Sequence, residues 1–319
     1  MKAVCYRQKA VFVPDYPKPV PAEGESLIHI RLAAVCSTDK EILRGYRPDF
    51  SGVMGHEFVG VVAHSDDPAL VGRRVVGELN AGCGHCLYCR TGREKHCLSR
   101  RVIGISGKDG CFAEYMTLRT DLVHVVPDEV PDEQAVCTEP LAAALEVAEQ
   151  VHIRPSRNVA VIGDGRLAYL TAQVLALQGV DLTVIGRHAE KLAMFAPFAR
   201  TLDRPEGSYE VVVEASGSPS GIGDALRLVR KQGQIVLKST YAGKAEVDMS
   251  LFAVNEITLT GSRCGPFEPA LQLLRRGLVH LPPIELYDLS EFEKAFASRA
   301  FKAGFRVSAG GETADSRGK

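Results

Sequence analysis

The sequence predicts an α/β protein of two domains, one built from short strands and one a doubly wound parallel sheet. Three observations predict it. The first 130 or so residues carry short apolar runs set between Gly and Pro, as strands of a β-rich domain do. From Pro140 onward, apolar runs alternate with helical patterns of about 10–15 residues, which is the order of βαβ units. The length, 319 residues, suits about two domains of ordinary size.

The elements follow in order. Residues 1–10 carry Lys2, Arg7 and Lys9 with no apolar core behind them, so they read as the start of a strand and not as a leader peptide. Residues 27–32, 58–62 and 74–76 are strand-like. Pro127 and Pro131 bracket a polar stretch that reads as a boundary near residue 130. A helix is predicted over 140–150. Strands over 158–163, 180–186, 209–215, 233–238 and 256–261 then alternate with helices over 166–178, 189–195 and 220–230. Helices over 269–277 and 292–301 and a closing strand over 305–307 complete the chain. The polar tail, 310–319, is expected to be disordered.

Composition excludes several classes. Net charge is −1, so no basic field exists to gather nucleic acid or an anionic membrane. No apolar run reaches the roughly 20 residues of a membrane helix. Nine cysteines, four of them crowded between Cys83 and Cys97, point to metal in a reducing, cytoplasmic compartment rather than to disulfides.

Cys83, Cys86, Cys89 and Cys97 are spaced C-x2-C-x2-C-x7-C. Such spacing lets four thiolates converge on one tetrahedral zinc and leaves no open position, so this site should be structural. An iron–sulfur cluster is the alternative on ligand chemistry alone. Four unrelated core cysteines fit poorly, because the residues between them are polar. His85 and His96 read as bystanders.

A second set begins with Cys36 at the end of an apolar run, followed by Thr38 and Asp39. His56 and Glu57 come about twenty residues later, embedded in apolar sequence. Cys, His and Glu are the mixed ligands of a catalytic zinc that keeps one position for substrate. A charged pair in apolar sequence is costly unless paired or metal-bound. Glu139, before Pro140, is a further candidate ligand.

Residues 159–168 form an apolar strand, a G-x-G-x-x-A turn (Gly163, Asp164, Gly165, Arg166, Leu167, Ala168) and a helix start. The glycines let backbone N–H groups approach a pyrophosphate at the helix N-terminus. The next strand ends at Gly186, Arg187 and His188, with Lys191 one turn on. An NAD site usually places an acid there. A missing acid and a present cation suit a 2′-phosphate, which favours NADP, with NAD as the alternative. Ser216, after the third strand of the series, and Arg263, after the last, join the candidate cofactor residues.

These three elements, in this order, resemble the zinc-dependent medium-chain dehydrogenase/reductase family, and the likeness extends to about residue 308. It is closer to the polyol, threonine and glucose dehydrogenase branch, which carries Glu-Pro before the cofactor domain, as Glu139-Pro140 does here. The resemblance implies a GroES-like catalytic domain, residues 1–130 and 264–319, with a structural-zinc lobe at about 80–100. A Rossmann domain over 131–263 would interrupt it. Two zinc ions per chain are implied, the catalytic one on Cys36, His56 and Glu139, with Glu57 either a ligand or an adjacent acid. Asp39 would orient His56, and Thr38 would carry the substrate proton. The family often has a histidine five residues after the first cysteine. Glu41 stands there in this chain, as a substitute relay group or as a surface residue. The implied reaction moves a hydride between a small alcohol, polyol or sugar and NAD(P) in a homodimer or homotetramer, joined through residues 257–260. Alternatives are a lyase or isomerase using transient oxidation, a non-catalytic cofactor-binding scaffold and a nucleic-acid-binding zinc protein. The neutral charge and the glycine turn oppose the last.

Overall fold

The computed structural model describes residues 1–241 and 243–308; the tail expected to be disordered lies outside them. The chain forms two compact units, residues 1–139 with 271–319 and residues 140–270.

The first unit opens with the hairpin β1 (Ala3–Tyr6) and β2 (Ala10–Val13). Next come β3 (Glu25–Ala34), helix α1 (Ser37–Leu43), β4 (Gly52–Val53), β5 (Glu57–His64) and β6 (Arg74–Gly77). A small lobe holds β7 (Asn80–Ala81), α2 (Leu87–Arg90), β8 (Arg101–Ile103) and β9 (Gly107–Lys108). After it run β10 (Tyr115–Arg119), β11 (Val123–Val125) and α3 (Asp132–Ala135).

The second unit runs from α4 (Thr138–Gln150) through β12 (Asn158–Ile162), α5 (Arg166–Ala176), β13 (Asp181–Ile185) and α6 (Ala189–Leu192). It continues with β14 (Arg200–Leu202), β15 (Tyr209–Glu214), α7 (Gly221–Leu228), β16 (Val229–Leu237), α8 (Met249–Val254), β17 (Thr258–Gly261) and α9 (Phe267–Arg275). The first unit then resumes with β18 (Ile284–Tyr287), α10 (Phe292–Ala297) and β19 (Lys302–Arg306).

The main sheet of the first unit has the order β11-β6-β5-β3-β19-β18, with β10 also on β3. In β3 the buried Ile28, Ile30 and Leu32 alternate with the more open His29 and Arg31, the period-2 pattern of a half-buried strand. Ile28, Ile30, Phe58, Phe112, Leu118 and Phe305 fill the core, and Phe112 meets Phe305 edge-on at 4.9 Å between ring centres. Each such buried side chain contributes about 1.5–3 kcal/mol.

The sheet of the second unit is parallel throughout, in the order β14-β13-β12-β15-β16-β17. Numbered within the unit this is 3-2-1-4-5-6, the doubly wound order, and ligands bind such sheets at the carboxyl ends of strands 1 and 4. Residues 159–162 and 211–213 are buried, as strands covered on both faces require.

Several expectations shift. The units divide after Glu139 and Ala270, later than residues 130 and 263. The reason is in the packing. Helix α3 sits on β3 and β5, and Asp132 is held by Arg31 Nε at 2.7 Å and Arg74 Nη1 at 2.9 Å. Arg74 also donates to the carbonyls of Pro127 and Val130, so the proline-bracketed stretch is fastened to the first unit. Residues 264–270 stay with the second unit, where Gly265 abuts the Ala142 carbonyl so closely that no Cβ fits. Helix α6 ends at Leu192 rather than 195. The helix predicted over 292–301 ends at Ala297, and the closing strand begins at Lys302 rather than 305. The short edge strand β14 was not anticipated; three residues carry too little pattern to see. Among the described residues no helix is long and apolar enough to cross a membrane.

Candidate metal centres and dinucleotide site

The small lobe brings Cys83, Cys86, Cys89 and Cys97 together, with all four sulfurs within 4.8 Å of one another. Cys83 and Cys89 Sγ are 4.0 Å apart, and Cys86 and Cys89 Sγ 3.5 Å. Four sulfurs at about 2.3 Å from a tetrahedral zinc would be about 3.8 Å apart, so the knot has zinc dimensions. Glu94 braces it: Oε1 accepts from Gly82 N–H at 2.7 Å and from Arg119 Nη1 at 2.6 Å. Backbone N–H groups of His85 and Cys86 draw the Cys83 thiol down to about 6. Desolvation and the neighbouring thiol of Cys86 push Cys89 up to about 12. Four thiolates at this spacing repel one another, and a divalent cation relieves that. His85 and His96 stay outside the set.

The second cluster is assembled by the pairing of β3 with β5. Ala34 lies opposite Glu57, so Cys36, two residues past β3, and His56, just before β5, come to one end of the sheet. Cys36 is the N-cap of α1, and its N–H donates to Asp39 Oδ2 at 2.7 Å. His56 is reached through Gly55, whose φ of +89° and close contact with the Phe112 ring exclude a side chain. Ligand atoms of Cys36, His56 and Glu57 lie within 4.8 Å of one another.

This cluster is deeply buried. Asp39 is fully buried and His56 is 3% exposed. His56 Nδ1 faces Asp39 Oδ1 at 3.5 Å, too long for a formed hydrogen bond. Burial alone would push the His56 pKa down, but the negative charge of Asp39, then of Cys36 and Glu139, lifts it well above the usual value. Burial raises the Asp39 carboxyl, with His56 partly countering. Asp39 Oδ1 and His56 Nδ1 have only each other to face, Glu57 Oε2 is paired with an ammonium, and Glu57 Oε1 is buried without a hydrogen-bond partner among the described residues. Buried polar atoms of this kind are costly unless something coordinates them. A thiol, an imidazole and a carboxylate converging within 4.8 Å in such a buried setting are the donor set of a zinc ion.

Glu57 also faces the ammonium of Lys302, which is equally buried. Sequence reasoning missed Lys302. The signal was a lysine in the apolar run Phe301–Val307, where a charge needs a partner. Glu139 is outside the 4.8 Å set but its charge is felt at His56. Thr38 Oγ1 stands 3.7 Å from Cys36 Sγ. Glu41, the candidate relay group, instead accepts from Arg44 Nη1 at 2.6 Å on the α1 surface.

In the second unit the glycine turn closes on the next strands. Gly163 has φ +124°, its N–H donates to Ile185 O, and a Cβ there would stand 2.5 Å from Ala215 O. A Cβ on Gly165 would meet nothing within 4 Å, which leaves open space at the start of α5. This cradle fits a pyrophosphate. A cavity of about 340 Å³ adjoins it, lined by Gly163, Asp164, Gly186, Arg187, His188 and Ser216 among others. Arg166 and Leu167 form the first turn of α5. Gly165, Arg166, Leu167, Lys191 and Arg263 do not line the cavity, whereas Arg204, which sequence reasoning missed, does. Ser216 is tied to the buried Glu214, whose Oε1 accepts its N–H at 2.9 Å and its hydroxyl at 2.5 Å.

Comparison with known proteins agrees with this geometry. Residues 22–128 match the family model "Alcohol dehydrogenase GroES-like domain". The chain is 29% identical to a sorbitol dehydrogenase of Halalkalibacterium halodurans, over 92% of each protein. It is 29% identical to an erythritol/L-threitol dehydrogenase of Mycolicibacterium smegmatis, over 91% of this chain and 90% of that one. An Escherichia coli alcohol dehydrogenase solved with NADH superposes with a TM-score of 0.86 at 25% identity, covering 96% of this chain and 99% of that one.

Proposed function

We propose that the chain is a member of the zinc-dependent medium-chain dehydrogenase/reductase family, and from that premise that it oxidises a small polyol, or reduces the matching carbonyl compound, with NAD(P). It is an NAD(P)-dependent zinc oxidoreductase. The observation that carries the assignment is the convergence of Cys36 with the buried His56 and Glu57 within 4.8 Å, in one chain with a glycine turn open at a helix start. Relatives acting on sorbitol, erythritol or threitol support a polyol as the substrate class.

Cys36 and His56, with Glu139, are the proposed ligands of the catalytic zinc, and Cys83, Cys86, Cys89 and Cys97 those of the structural one. When bound, the catalytic zinc supplies Lewis-acid polarisation of the substrate oxygen, and the nicotinamide supplies the hydride acceptor. The chain's own residues do the rest. Asp39 holds the Cys36 backbone through Oδ2 and turns Oδ1 to His56 Nδ1, leaving Nε2 as the ligating atom. Thr38 Oγ1, beside Cys36, takes the substrate hydroxyl proton and passes its own onward. Lys302 neutralises Glu57, which supports Glu57 as an adjacent acid rather than a permanent ligand. Glu41 is engaged by Arg44, which supports an exit for the proton through water.

The partner is a small alcohol or carbonyl compound, and a homodimer or homotetramer is the proposed assembly. The exposed edge of β17, with Leu259 at 45% exposure, supports dimerisation there. Nine free thiols support a reducing, cytoplasmic compartment. Cys36→Ser tests the assignment. Zinc content should fall from two ions per chain to one, turnover on a panel of polyols with either cofactor should vanish, and circular dichroism should stay native. Retention of two zinc ions would show the catalytic site to be elsewhere.

A further inference from the structure

In doubly wound folds, the carboxylate that selects NAD stands at the end of the second strand and accepts from the adenosine ribose 2′-hydroxyl. Gly186 occupies that position here. The structure shows what fills the space. A Cβ on Gly186 would lie 2.7 Å from Asp164 Cβ and 2.8 Å from Asp164 Oδ2. The carboxylate at the end of β13 is therefore present, but it is delivered from the glycine turn after β12.

That carboxylate is fixed. Asp164 Oδ2 accepts the backbone N–H of Arg187 at 2.7 Å and of His188 at 2.9 Å, and His188 Nδ1 lies 2.9 Å away. Oδ1 accepts no hydrogen bond among the described residues and stands 3.8 Å from Lys191 Nζ. Burial of the side chain raises its pKa, but the Arg187 and His188 donors outweigh this and hold Asp164 ionised.

We propose that Asp164 is the cofactor-selecting residue of this enzyme, its Oδ1 accepting the adenosine ribose 2′-hydroxyl and making NAD(H) preferred over NADP(H). The inference rests on the dehydrogenase reading and deepens it. A hydroxyl donates to Oδ1, whereas a 2′-phosphate near dianionic charge has no proton to offer and meets a fixed negative group. Of the cations that suit a phosphate in sequence, His188 and Lys191 are turned to Asp164. The cavity wall carries Arg187, Arg204 and Arg227 against Asp164, Asp203 and Asp224. Arg227 is paired with Asp224, Arg204 Nε lies 3.7 Å from Glu206, and His188 and Lys191 face Asp164. On the wall itself the three guanidiniums are matched in number by the three carboxylates, so the wall as a whole has no excess positive charge to draw in a dianion.

Calorimetric titration of the zinc-loaded protein with NADH and with NADPH, without substrate, tests this. The native protein should bind NADH at least tenfold tighter. Asp164→Asn keeps an acceptor for the backbone N–H groups and removes the charge, so the NADH:NADPH affinity ratio should fall by about tenfold. Asp164→Gly with Gly186→Asp moves the carboxylate to the strand end, relieves the collision and should restore the preference. A native preference for NADPH, or an Asp164→Asn variant that loses both affinities equally, would overturn the proposal, the second outcome making Asp164 a structural clamp only. Binding of neither dinucleotide to the native protein would bring down the dehydrogenase reading itself.

Discussion

At the scale of single residues, the buried charges decide most. Glu57 and Lys302 are both almost completely buried, and each offsets the charge of the other. Removing one member of such a pair costs about 3–5 kcal/mol, since the survivor stays in the interior uncompensated. Lys302→Met should lower the unfolding free energy by about that much in urea, and adding Glu57→Gln should recover most of it. A Lys302→Met protein as stable as the native one would mean that Glu57 is compensated by another group. The pair also shows where sequence reading stops. Glu57 was visible as an acid in apolar sequence, but its counter-ion comes from the far end of the chain, and nothing local announces the meeting.

Elements position these residues with little redundancy. Cys36 and His56 meet because β3 and β5 pair with Ala34 opposite Glu57, and a slip of one residue would turn the ligands apart. Apolar alternation made those strands legible, since burying one face fixes both their existence and their register. Short elements were less legible. Strand β14 and the true start of β19 depend on neighbours for their hydrogen bonds and carry no pattern of their own. Edge strand β17 is a separate case. Its parallel partner β16 covers one side only, and Leu259, with Met249 and Val254 of α8, remains exposed. Unpaired backbone beside exposed apolar groups invites a second strand. Leu259→Lys should shift the sedimentation coefficient toward that of a smaller species while zinc content stays unchanged; an unaltered coefficient would move the interface elsewhere.

On the scale of the whole molecule, two units with separate cores predict separable unfolding. The zinc lobe is made of strands of two and three residues, which cannot hold themselves together, so the four-thiolate ion should supply much of its stability. With NADH in the proposed cradle of the second unit, one hundred times its dissociation constant should stabilise that unit by about 2.7 kcal/mol. Scanning calorimetry should therefore resolve two transitions. Cys89→Ser should lower one of them, and saturating NADH should raise the other. A single transition moved equally by both changes would show the units to be one cooperative system.

The amino-acid order alone was enough to read the reaction class, the two candidate ligand clusters and the glycine turn. Metal ligation by x2 spacing and a strand–turn–helix cradle are local devices, complete within a few tens of residues. Tertiary structure alone decided which charges face one another. Lys302 beside Glu57, Glu41 bound to Arg44, and the Asp164 carboxylate in the room left by Gly186 are all matters of distance through space. Coulomb energy and desolvation depend on that distance and on burial, neither of which is written in the spacing of residues along the chain.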